Sequence, residues 1–234
     1  MLPVAILAGG LATRLHPATE KIPKAIIDVA GTPFIVRQLK YLRSQRVKRV
    51  VICIGHLGEM VKDVVDNITN LELEITYSED GPHLLGTGGA LRKATSHLPE
   101  TFFVLYGDSY LPTDFSAVYE AYKLGRRSAL MTVLRNENKW DKSNVLFVNG
   151  RLIEYDKNSP GAQMSHIDYG LSLISSSVLE HSALGHRFDL ADLYRELSLR
   201  GDLAGFEVHT RFYEIGSHRG LEETRRYFLT SENL

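Results

Sequence analysis

Apolar and polar residues alternate along the chain with two different periods, which predict an ordered series of strands and helices. Short apolar runs and segments of alternating polarity predict strands over residues 4–8, 49–54, 73–77, 102–106, 128–135, 145–148, 151–155 and 166–174. Apolar residues spaced three or four apart predict helices over residues 33–45, 59–65, 88–98, 190–200 and 221–229. The dipeptide Asn149-Gly150 predicts a tight hairpin between two of the strands.

The order of these elements predicts an α/β fold. Strands and helices alternate in the first half of the chain, which is typical of a mostly parallel sheet with helices on both faces. The second half is richer in strands, so the sheet is expected to be mixed there. No linker-like or low-complexity segment interrupts the 234 residues, and we interpret residues 1–234 as a single domain. Ligands of such sheets bind beyond the carboxyl ends of the strands.

Composition and charge exclude several classes of protein. With 44% hydrophobic residues, 24% charged residues and a net charge of −1, the chain lacks the basic excess of most nucleic-acid-binding proteins. Its single cysteine, Cys53, lies in an apolar run and is expected to be a buried thiol. No segment approaches the roughly 18 apolar residues of a membrane span, and the first residues do not resemble a secretion signal. We therefore expect a cytoplasmic protein that binds neither nucleic acid nor membranes.

A glycine-rich turn with two cations follows the first predicted strand. Gly9 and Gly10 end that strand, and Arg14 and Lys24 follow shortly afterwards. Glycine lets the backbone approach a phosphate chain closely, and the two cations supply the positive charge that a triphosphate needs. The spacing matches neither the Rossmann nor the P-loop fingerprint, which argues against dinucleotide and P-loop ATPase sites.

The whole stretch from Leu7 to Lys24 resembles the signature of the sugar-1-phosphate nucleotidyltransferases, L-x-G-G-x-G-T-R-L-x-P-x-T-x-x-x-P-K. Ala12 takes the place of the third glycine of that signature. The resemblance implies a Rossmann-like, three-layer αβα fold of the GT-A-like nucleotidyltransferase type, with a nucleotide-binding part at about residues 1–125 and a sugar-binding part at about residues 126–220. Within the family, the short chain and its residues 85–90 are most similar to the bacterial heptose 1-phosphate guanylyltransferases.

The resemblance also assigns roles to individual residues. Arg14 and Lys24 are expected to be catalytic, with Arg14 on the leaving pyrophosphate and Lys24 on the phosphates that meet in the transition state. The implied nucleotide-binding residues are Leu7, Ala8, Gly9, Gly10, Thr13, Glu79, Gly86, Thr87 and Gly107.

Residues 85–90 resemble the family segment that passes the nucleobase. Glycines there would let backbone groups meet the edge of a flat base, although a helix N-terminus without a ligand is an alternative interpretation. Glu79 and Asp80, just before this segment, could accept the paired N–H groups of guanine, whereas uracil offers one N–H. GTP is therefore the favoured nucleotide, with UTP and dTTP as alternatives.

Two carboxylates are candidate ligands for Mg²⁺, the expected cofactor. Asp108 follows a buried strand and resembles the catalytic family aspartate that holds the ion, and Glu214 stands where the family has a second aspartate. Because Mg²⁺ binds through one or two carboxylates while keeping waters and substrate oxygens, this pair is chemically sufficient. The longer arm of Glu214 leaves open whether it binds directly or through a water.

The second half of the chain holds the candidate residues for the sugar phosphate. The implied residues are Asn144, Asp156, Lys157, Asp168 and Gly170. Asp156 and Asp168 could accept hydrogen bonds from sugar hydroxyls, and Lys157 could hold the sugar phosphate. Asp168 replaces an asparagine that is usual in the family, so the sugar is described only as heptose- or mannose-like. Trp140 either lines this pocket or packs the second half of the protein.

Together the motifs predict an enzyme of the EC 2.7.7 type that joins an NTP to a sugar 1-phosphate and releases pyrophosphate. The phosphate nucleophile is already ionised, so no general base is required. Two alternatives are a uridylyl- or thymidylyltransferase for another sugar 1-phosphate and a non-catalytic subunit that senses nucleotide sugars. The joint presence of Arg14, Lys24 and Asp108 favours the enzyme over the sensor. The expected partners are the NTP and the sugar 1-phosphate, and assembly into a homo-oligomer is left open.

Overall fold

The computed structural model describes residues 1–10, 15, 21–180 and 183–231. The strands in this part of the chain are β1 (Val4–Leu7), β2 (Asp28–Val29), β3 (Thr32–Pro33), β4 (Arg49–Ile54), β5 (Glu74–Glu79), β6 (Thr101–Tyr106), β7 (Ser109–Tyr110), β8 (Ala129–Arg135), β9 (Val145–Val148), β10 (Arg151–Tyr155), β11 (His166–Ser175), β12 (Leu203–Val208) and β13 (Tyr213–Glu214). The α-helices are α1 (Phe34–Ser44), α2 (Gly58–Asp66), α3 (Gly86–Ala94), α4 (Phe115–Gly125), α5 (Leu190–Leu199) and α6 (His218–Ser231).

Four parallel strands form the first half of the main sheet, in the order β6-β1-β4-β5. β1 lies between β4 and β6, and its residues Val4, Ala5 and Ile6 are fully buried. Because strands covered on both faces have no solvent side, β1, β4 and β6 are apolar runs, which explains why the sequence predicted them closely. β5 is at the edge of the sheet and has alternating polarity. The carboxyl ends of β1, β4 and β6 therefore meet at one edge of the sheet.

Antiparallel pairing begins at β11, which lies beside β6 and also pairs with β8 and β9. β9 and β10 form the predicted hairpin, and the positive φ angles of Asn149 and Gly150 are those of the tight turn that this dipeptide favours. β12 pairs in parallel with β8. The sheet is thus mixed, with its antiparallel part in the second half of the chain as predicted.

Helices cover both faces of this sheet. On one face, α1, α2 and α4 contribute Leu39, Val61 and Phe115 to the larger core cluster. On the other face, α3 and α5 contribute Leu91 and Tyr194 to a second cluster. This arrangement confirms the predicted three-layer αβα fold.

Two of the longer elements, α4 and β12, are absent from the sequence-based prediction, as are the two-residue strands β2, β3, β7 and β13. α4 begins at an N-cap, where the Asp114 carboxylate accepts a hydrogen bond from Ser116 N at 2.8 Å. β12 contains Gly205, where an added Cβ would lie 2.7 Å from the ring of Phe147. Its pairing with β8 is therefore specified by tertiary packing rather than by its own pattern.

A small sheet of two short strands, β7 and β13, joins the two halves of the protein. Ser109 pairs with Glu214, and Ile215 N donates to the carbonyl oxygen of Asp108 at 2.9 Å. This pairing brings the region just before α6 beside the end of β6.

Among the residues that the structure describes, we find no helix with the length and apolar character that a membrane crossing requires.

Candidate active site

Two cavities open at the carboxyl edge of the sheet and share three lining residues. The first, of about 360 Å³, lies beyond β1 and β6. The second, of about 340 Å³, lies beneath the connection that precedes α6. Tyr106, Asp108 and Lys157 line both. Two molecules bound one in each cavity would therefore meet at these three residues.

The first cavity collects most of the predicted nucleotide-binding residues. Its lining includes Leu7, Ala8, Gly9, Gly10, Gly86, Thr87 and Gly107, together with Lys24. Thr13 and Arg14, which the sequence assigned to the same site, lie outside the described residues.

Lys24 and Asp108 form an ion pair at the junction of the two cavities. Lys24 Nζ lies 2.6 Å from Asp108 Oδ2, and the two side chains are 20% and 27% exposed. Ser109 Oγ donates to Asp108 Oδ1 at 3.1 Å. Burial opposes ionisation of Asp108, but Lys24 and these hydrogen bonds outweigh it and hold the pKa of Asp108 below its ordinary value. Asp108 is therefore an anion at neutral pH.

The backbone around Asp108 is fixed by a buried glutamine of α1. Gln38 Nε2 donates to the carbonyl oxygens of Tyr106 and Ser109, at 3.0 and 2.8 Å. Both acceptors flank the turn that presents the carboxylate. The position of Asp108 is therefore set by the body of the domain and not by a free loop.

Asp108 and Glu214, the predicted metal ligands, lie close together. A Cβ atom at Gly216 would lie 2.9 Å from Glu214 Oε2 and 3.3 Å from Asp108 Oδ2. Because Gly216 has no side chain, the space between the two carboxylates is not filled. In the described part of the chain, no group of three or more His, Cys, Asp and Glu residues could hold a metal ion. Two carboxylate donors nevertheless fit Mg²⁺, because this ion keeps waters and phosphate oxygens as its other ligands.

Glu214 also has a second set of partners at the start of α6. Oε2 accepts hydrogen bonds from Gly216 N and from Ser217 N, the latter at 3.1 Å, and Oε1 accepts from Ser217 Oγ at 2.5 Å. A carboxylate at a helix N-terminus is stabilised by the helix dipole and by the free N–H groups there. Oε1 keeps a further lone pair, whereas the two hydrogen bonds to Oε2 use both of its lone pairs. Glu214 can therefore contact an ion through Oε1 while it caps α6, or through Oε2 in exchange for one of those hydrogen bonds.

The second cavity contains three of the five predicted sugar-side residues. Asn144, Lys157 and Asp168 line it, and Trp140 lines it as well. Trp140 also packs against Phe212 with ring centroids 6.1 Å apart, so both predicted roles of this residue are compatible with its position. Asn144 Oδ1 accepts from Asp168 N at 2.9 Å, which ties these two residues together.

Gly170 and Asp156 lie outside the lining of this cavity. Gly170 is in β11, where its N–H donates to Asp168 Oδ1 at 2.9 Å and so orients that carboxyl group. Asp156 accepts from Asn158 N, from Ser159 N and from Arg195 Nε, the last at 2.7 Å. The structure thus does not bring Asp156 to the cavity, because its carboxylate closes the turn after β10 and fastens it to α5, and the predicted contact with a sugar hydroxyl has no support from its position.

Of the two neighbouring carboxylates Glu79 and Asp80, only Asp80 lines the first cavity. Glu79 is exposed and pairs with Lys62 on α2, whereas Asp80 is buried and lines the first cavity. Asp80 Oδ2 accepts from Leu85 N at 3.0 Å, and burial raises the pKa of its carboxyl group. Glu79 lies outside the cavity lining although it was predicted there, because successive side chains of a strand point to opposite sides and a shift of one residue reverses the direction.

A loop at residues 183–189 packs over the start of α3 and explains much of its glycine content. Gly88 N donates to the Phe188 carbonyl at 3.0 Å, and Thr87 Oγ1 donates to Asp189 Oδ1 at 2.9 Å. A Cβ at Gly89 would lie 2.5 Å from the carbonyl oxygen of His186. Gly86 and Thr87 thus line the first cavity, whereas the two glycines that follow serve protein packing.

Gly88→Ala should destabilise the protein, because a Cβ at Gly88 would overlap the ring of Phe188. We expect the free energy of unfolding, measured in urea, to fall by roughly 1–3 kcal/mol, as for other overpacked core sites. Gly125→Ala is the matched control. Gly125 is also helical, and its added Cβ would make an ordinary contact at 3.6 Å with Ala204. Equal stability of the two variants would contradict the packing role of Gly88.

Asp168→Asn should stabilise the protein at neutral pH and have little effect in acid. Burial raises the pKa of Asp168 from 3.8 to about 6, with Gly170 N and Lys157 opposing. The unfolded chain releases this proton more readily, so wild-type stability declines between about pH 4 and pH 6. Above pH 6 the advantage of the asparagine variant should approach at most about 3 kcal/mol, less the screening by solvent that partial exposure allows.

Urea unfolding of both proteins between pH 4.5 and 7.5 checks this result. Asp156→Asn should instead show a stability difference that is nearly constant over this range, because hydrogen bonds from Ser159 N and Arg195 lower the pKa of Asp156 to below the range. Its stabilising contribution is present at neutral pH and is lost as the pH falls through that lowered value. A pH-independent difference between Asp168→Asn and the wild type would contradict the assignment.

Arg187, Arg211 and Arg219 line the cavities although the sequence analysis did not single them out. Arg187 lies in the loop over α3 and lines the first cavity. Arg211 and Arg219 flank β13 and line the second. Nothing in the local sequence distinguishes these arginines from exposed ones, because the connection of β13 to β7 is what brings the last two to the site.

The chain resembles known proteins in both sequence and structure. The profile of the nucleotidyl transferase family matches residues 4–143. The chain is 28% identical to a D-glycero-alpha-D-manno-heptose 1-phosphate guanylyltransferase of Campylobacter jejuni, over 82% of this chain and 84% of that protein. It is 31% identical to mannose-1-phosphate guanylyltransferase 1 of Arabidopsis thaliana, over 97% of this chain but 64% of the plant protein. This chain thus spans less than two thirds of the plant relative.

Solved structures have the same fold. The crystal structure of HddC from Yersinia pseudotuberculosis has a TM-score of 0.82 at 23% identity, covering 97% of this chain and 100% of that one. The inositol-1-phosphate CTP transferase of T. maritima has a TM-score of 0.77 at 21% identity, covering 97% and 95%. Because the family profile matches more than half of the chain, in the part that contains Lys24 and Asp108, this protein belongs to the nucleotidyl transferase family.

Proposed function

We propose that this protein transfers a nucleoside monophosphate from an NTP to a sugar 1-phosphate and releases pyrophosphate. The observation that carries the proposal is the meeting of two cavities at Asp108 and Lys157, with Lys24 paired to Asp108. A reaction between two phosphorylated substrates needs one cavity for each and cations where their phosphates meet. The relatives from C. jejuni and A. thaliana, both named guanylyltransferases, support the same reaction.

In this reaction an oxygen of the sugar phosphate attacks the α-phosphorus of the NTP in line with the leaving pyrophosphate. One P–O bond forms, the bond to the β-phosphate oxygen breaks, and no proton is transferred at the reacting atoms. Lys24 and Lys157 neutralise phosphate oxygens of the two substrates at the junction. Asp108 and Glu214 would hold Mg²⁺, which when bound supplies positive charge and orients phosphate oxygens.

GTP is the favoured nucleotide. Asp80 lines the nucleotide cavity and keeps a carboxyl oxygen besides the one that accepts from Leu85 N. A carboxylate can accept two N–H groups from guanine but one from uracil. HddC from Y. pseudotuberculosis, which has the same fold, was crystallised with GMP-PN. A Synechocystis relative, 24% identical, is named a UTP–glucose-1-phosphate uridylyltransferase, so UTP is the principal alternative.

The sugar is proposed to be heptose- or mannose-like, following the names of the two guanylyltransferase relatives. Asn144 and Asp168 are the polar groups that would meet its hydroxyls, and Lys157 its phosphate. The proposal places the reaction in the cytoplasm, where nucleoside triphosphates are available.

Pyrophosphate release tests the proposal directly. Purified protein is incubated with Mg²⁺, one of GTP, UTP, dTTP, CTP or ATP, and heptose, mannose or glucose 1-phosphate. We expect release to depend on both substrates, with the highest kcat/KM for GTP. A kcat/KM for UTP or dTTP at least equal to that for GTP would show the nucleotide assignment to be wrong. Absence of release with every pair, together with tight binding of a nucleotide sugar, would favour the sensor.

A further inference from the structure

The mouth of the second cavity holds two guanidinium groups that share one carboxylate. Arg211 Nη2 lies 2.6 Å from Glu223 Oε2, and Arg219 Nε lies 2.9 Å from Glu223 Oε1. All three residues line the cavity. Both oxygens of Glu223 are thus engaged, and the cluster as a whole carries one net positive charge.

Arg211 is held in place more firmly than a surface arginine. Its guanidinium carbon lies 5.2 Å from the centre of the Trp140 ring and 4.7 Å from that of Tyr213. Its Nε donates to the Phe212 carbonyl at 3.2 Å. The side chain is 31% exposed, whereas Arg219 is 76% exposed and lies at the outer rim. A guanidinium ordered in this way loses little conformational entropy when it binds a ligand.

Carboxylates outside this cluster also line the cavity. Asp108 is paired with Lys24, and Glu214 accepts hydrogen bonds from the first residues of α6. Asp141 and Asp168 line the same cavity, together with the cation of Lys157. Asp108 and Lys157 lie where the two cavities meet, whereas Arg219 is 76% exposed at the outer rim. The two arginines therefore offer positive charge at the end of the cavity away from that junction.

We propose that Arg211 and Arg219 form a subsite for a second anionic group on the sugar 1-phosphate, a carboxylate or a phosphate remote from C1. The inference rests on the proposed function, since it assumes that the 1-phosphate binds near Asp108 and Lys157. The sugar ring would then lie between the two ends, beside Trp140. The substrate class is accordingly an acidic or doubly phosphorylated sugar 1-phosphate.

An anion explains the cluster better than a neutral hydroxyl does. Hydroxyl groups can be met by the amide of Asn144 and the carboxyl of Asp168, which the cavity already has. A guanidinium presents paired N–H groups that match the two oxygens of a carboxylate or phosphate, and a charged partner strengthens each hydrogen bond. Glu223 then fixes both side chains, and hydrogen bonds from Arg211 and Arg219 lower the pKa of its carboxyl group.

Calorimetric binding to the protein without nucleotide tests the subsite. The probes are mannose 1-phosphate against mannose 1,6-bisphosphate, and glucose 1-phosphate against glucuronic acid 1-phosphate. The bisphosphate pair tests a phosphate and the glucuronate pair a carboxylate. In the wild type, we expect at least one doubly anionic sugar to bind about tenfold or more tightly than its neutral counterpart.

Two variants and a control make the result specific. Arg211→Ala and Arg219→Ala should each remove most of that preference while changing the affinity for mannose 1-phosphate less than threefold. Arg219 is mostly exposed, so its variant keeps the experiment informative if loss of the Arg211 stacking disturbs folding. Arg151→Ala, an exposed arginine at the start of β10, should behave as the wild type. Equal affinity of the wild type for both members of each pair, or an equal loss for both in the variants, would overturn the subsite.

The test of the anionic subsite and the test of the transfer reaction can fail independently. If no NTP and sugar pair releases pyrophosphate but doubly anionic sugars still bind through Arg211, the transfer reaction is wrong and the subsite is right. If neutral sugar 1-phosphates are turned over and the anionic ones have no advantage in binding, the reaction is right and the subsite is wrong.

Discussion

Asp108→Asn should lower kcat by roughly 10²- to 10³-fold, the effect of removing one preorganised charge from a phosphoryl-transfer site. The variant keeps the shape of the side chain and its hydrogen bond with Ser109, so the loss reports the charge. Asp108 lines both cavities and faces Lys24 and Glu214 at one point. Single-turnover pyrophosphate release at Mg²⁺ concentrations from about 0.1 to about 50 mM, a range chosen to span weak and saturating binding, measures it.

The dependence on Mg²⁺ distinguishes a metal ligand from a residue that only positions Lys24. A lost ligand should lower the rate at every concentration and also raise the Mg²⁺ concentration needed for the half-maximal rate, because metal binding is weakened. Loss of a residue that only positions Lys24 should lower the rate without changing that concentration. Asp63→Asn, at an exposed position of α2, is the control and should retain full activity. If Asp108→Asn keeps near wild-type turnover at saturating Mg²⁺, the central place of Asp108 in the proposed mechanism is wrong.

Most of the parallel half of the sheet could be predicted because each buried strand is recognisable from its own apolar sequence. β4, β6 and β1 are buried on both faces, so their sequences are apolar throughout and their ends are marked by polar residues or glycines. α4 escaped prediction for the opposite reason. Phe115 and Val118 are its buried residues, and Leu124 on the same helix is 82% exposed, which obscures the apolar face.

The candidate site was predictable where one motif places a residue directly after a strand. Asp108 and the glycines after β1 follow from that rule, since carboxyl ends of parallel strands meet at one edge. The positions of Asp156 and Glu79 outside the cavities were not predictable, because packing partners decide where these side chains lie. Arg195 is distant from Asp156 in the sequence, and whether Glu79 or Asp80 faces inward depends on the register of β5.

Glu214 shows what a sequence motif can predict, its nearness to Asp108, and what it cannot, its hydrogen bonds to α6. The family pattern placed it beside Asp108, and the pairing of β7 with β13 brings the two carboxylates together as expected. Its hydrogen bonds to Ser217 and to the backbone of α6 depend on the helix that begins just after it. A glutamate can reach those donors with its extra methylene, which gives a physical reason for the longer side chain at this position.

Lys24 has two roles that a single substitution can separate. Its ammonium lies on Asp108 Oδ2, one of the oxygens that a cation at this site would use. In the reaction the same group is proposed to neutralise phosphate oxygens, so it must leave Asp108 when the substrates and the metal ion bind. Lys24 should therefore oppose metal binding to the protein without nucleotide, and support turnover once nucleotide is present.

Lys24→Met should consequently lower kcat about 10²-fold or more and, without nucleotide, bind Mn²⁺ several-fold more tightly than the wild type. Mn²⁺ binding is measured by electron paramagnetic resonance, which needs no turnover. Lys157→Met is the matched control. Lys157 is a lysine that lines both cavities, as Asp108 does, but the ion pair of Asp108 is with Lys24. Removing a positive charge from the region should tighten Mn²⁺ binding slightly in both variants, whereas vacating the carboxylate should tighten it further in Lys24→Met alone. Equal Mn²⁺ affinities of the two variants would mean that Lys24 acts through its long-range charge and does not occupy the metal position.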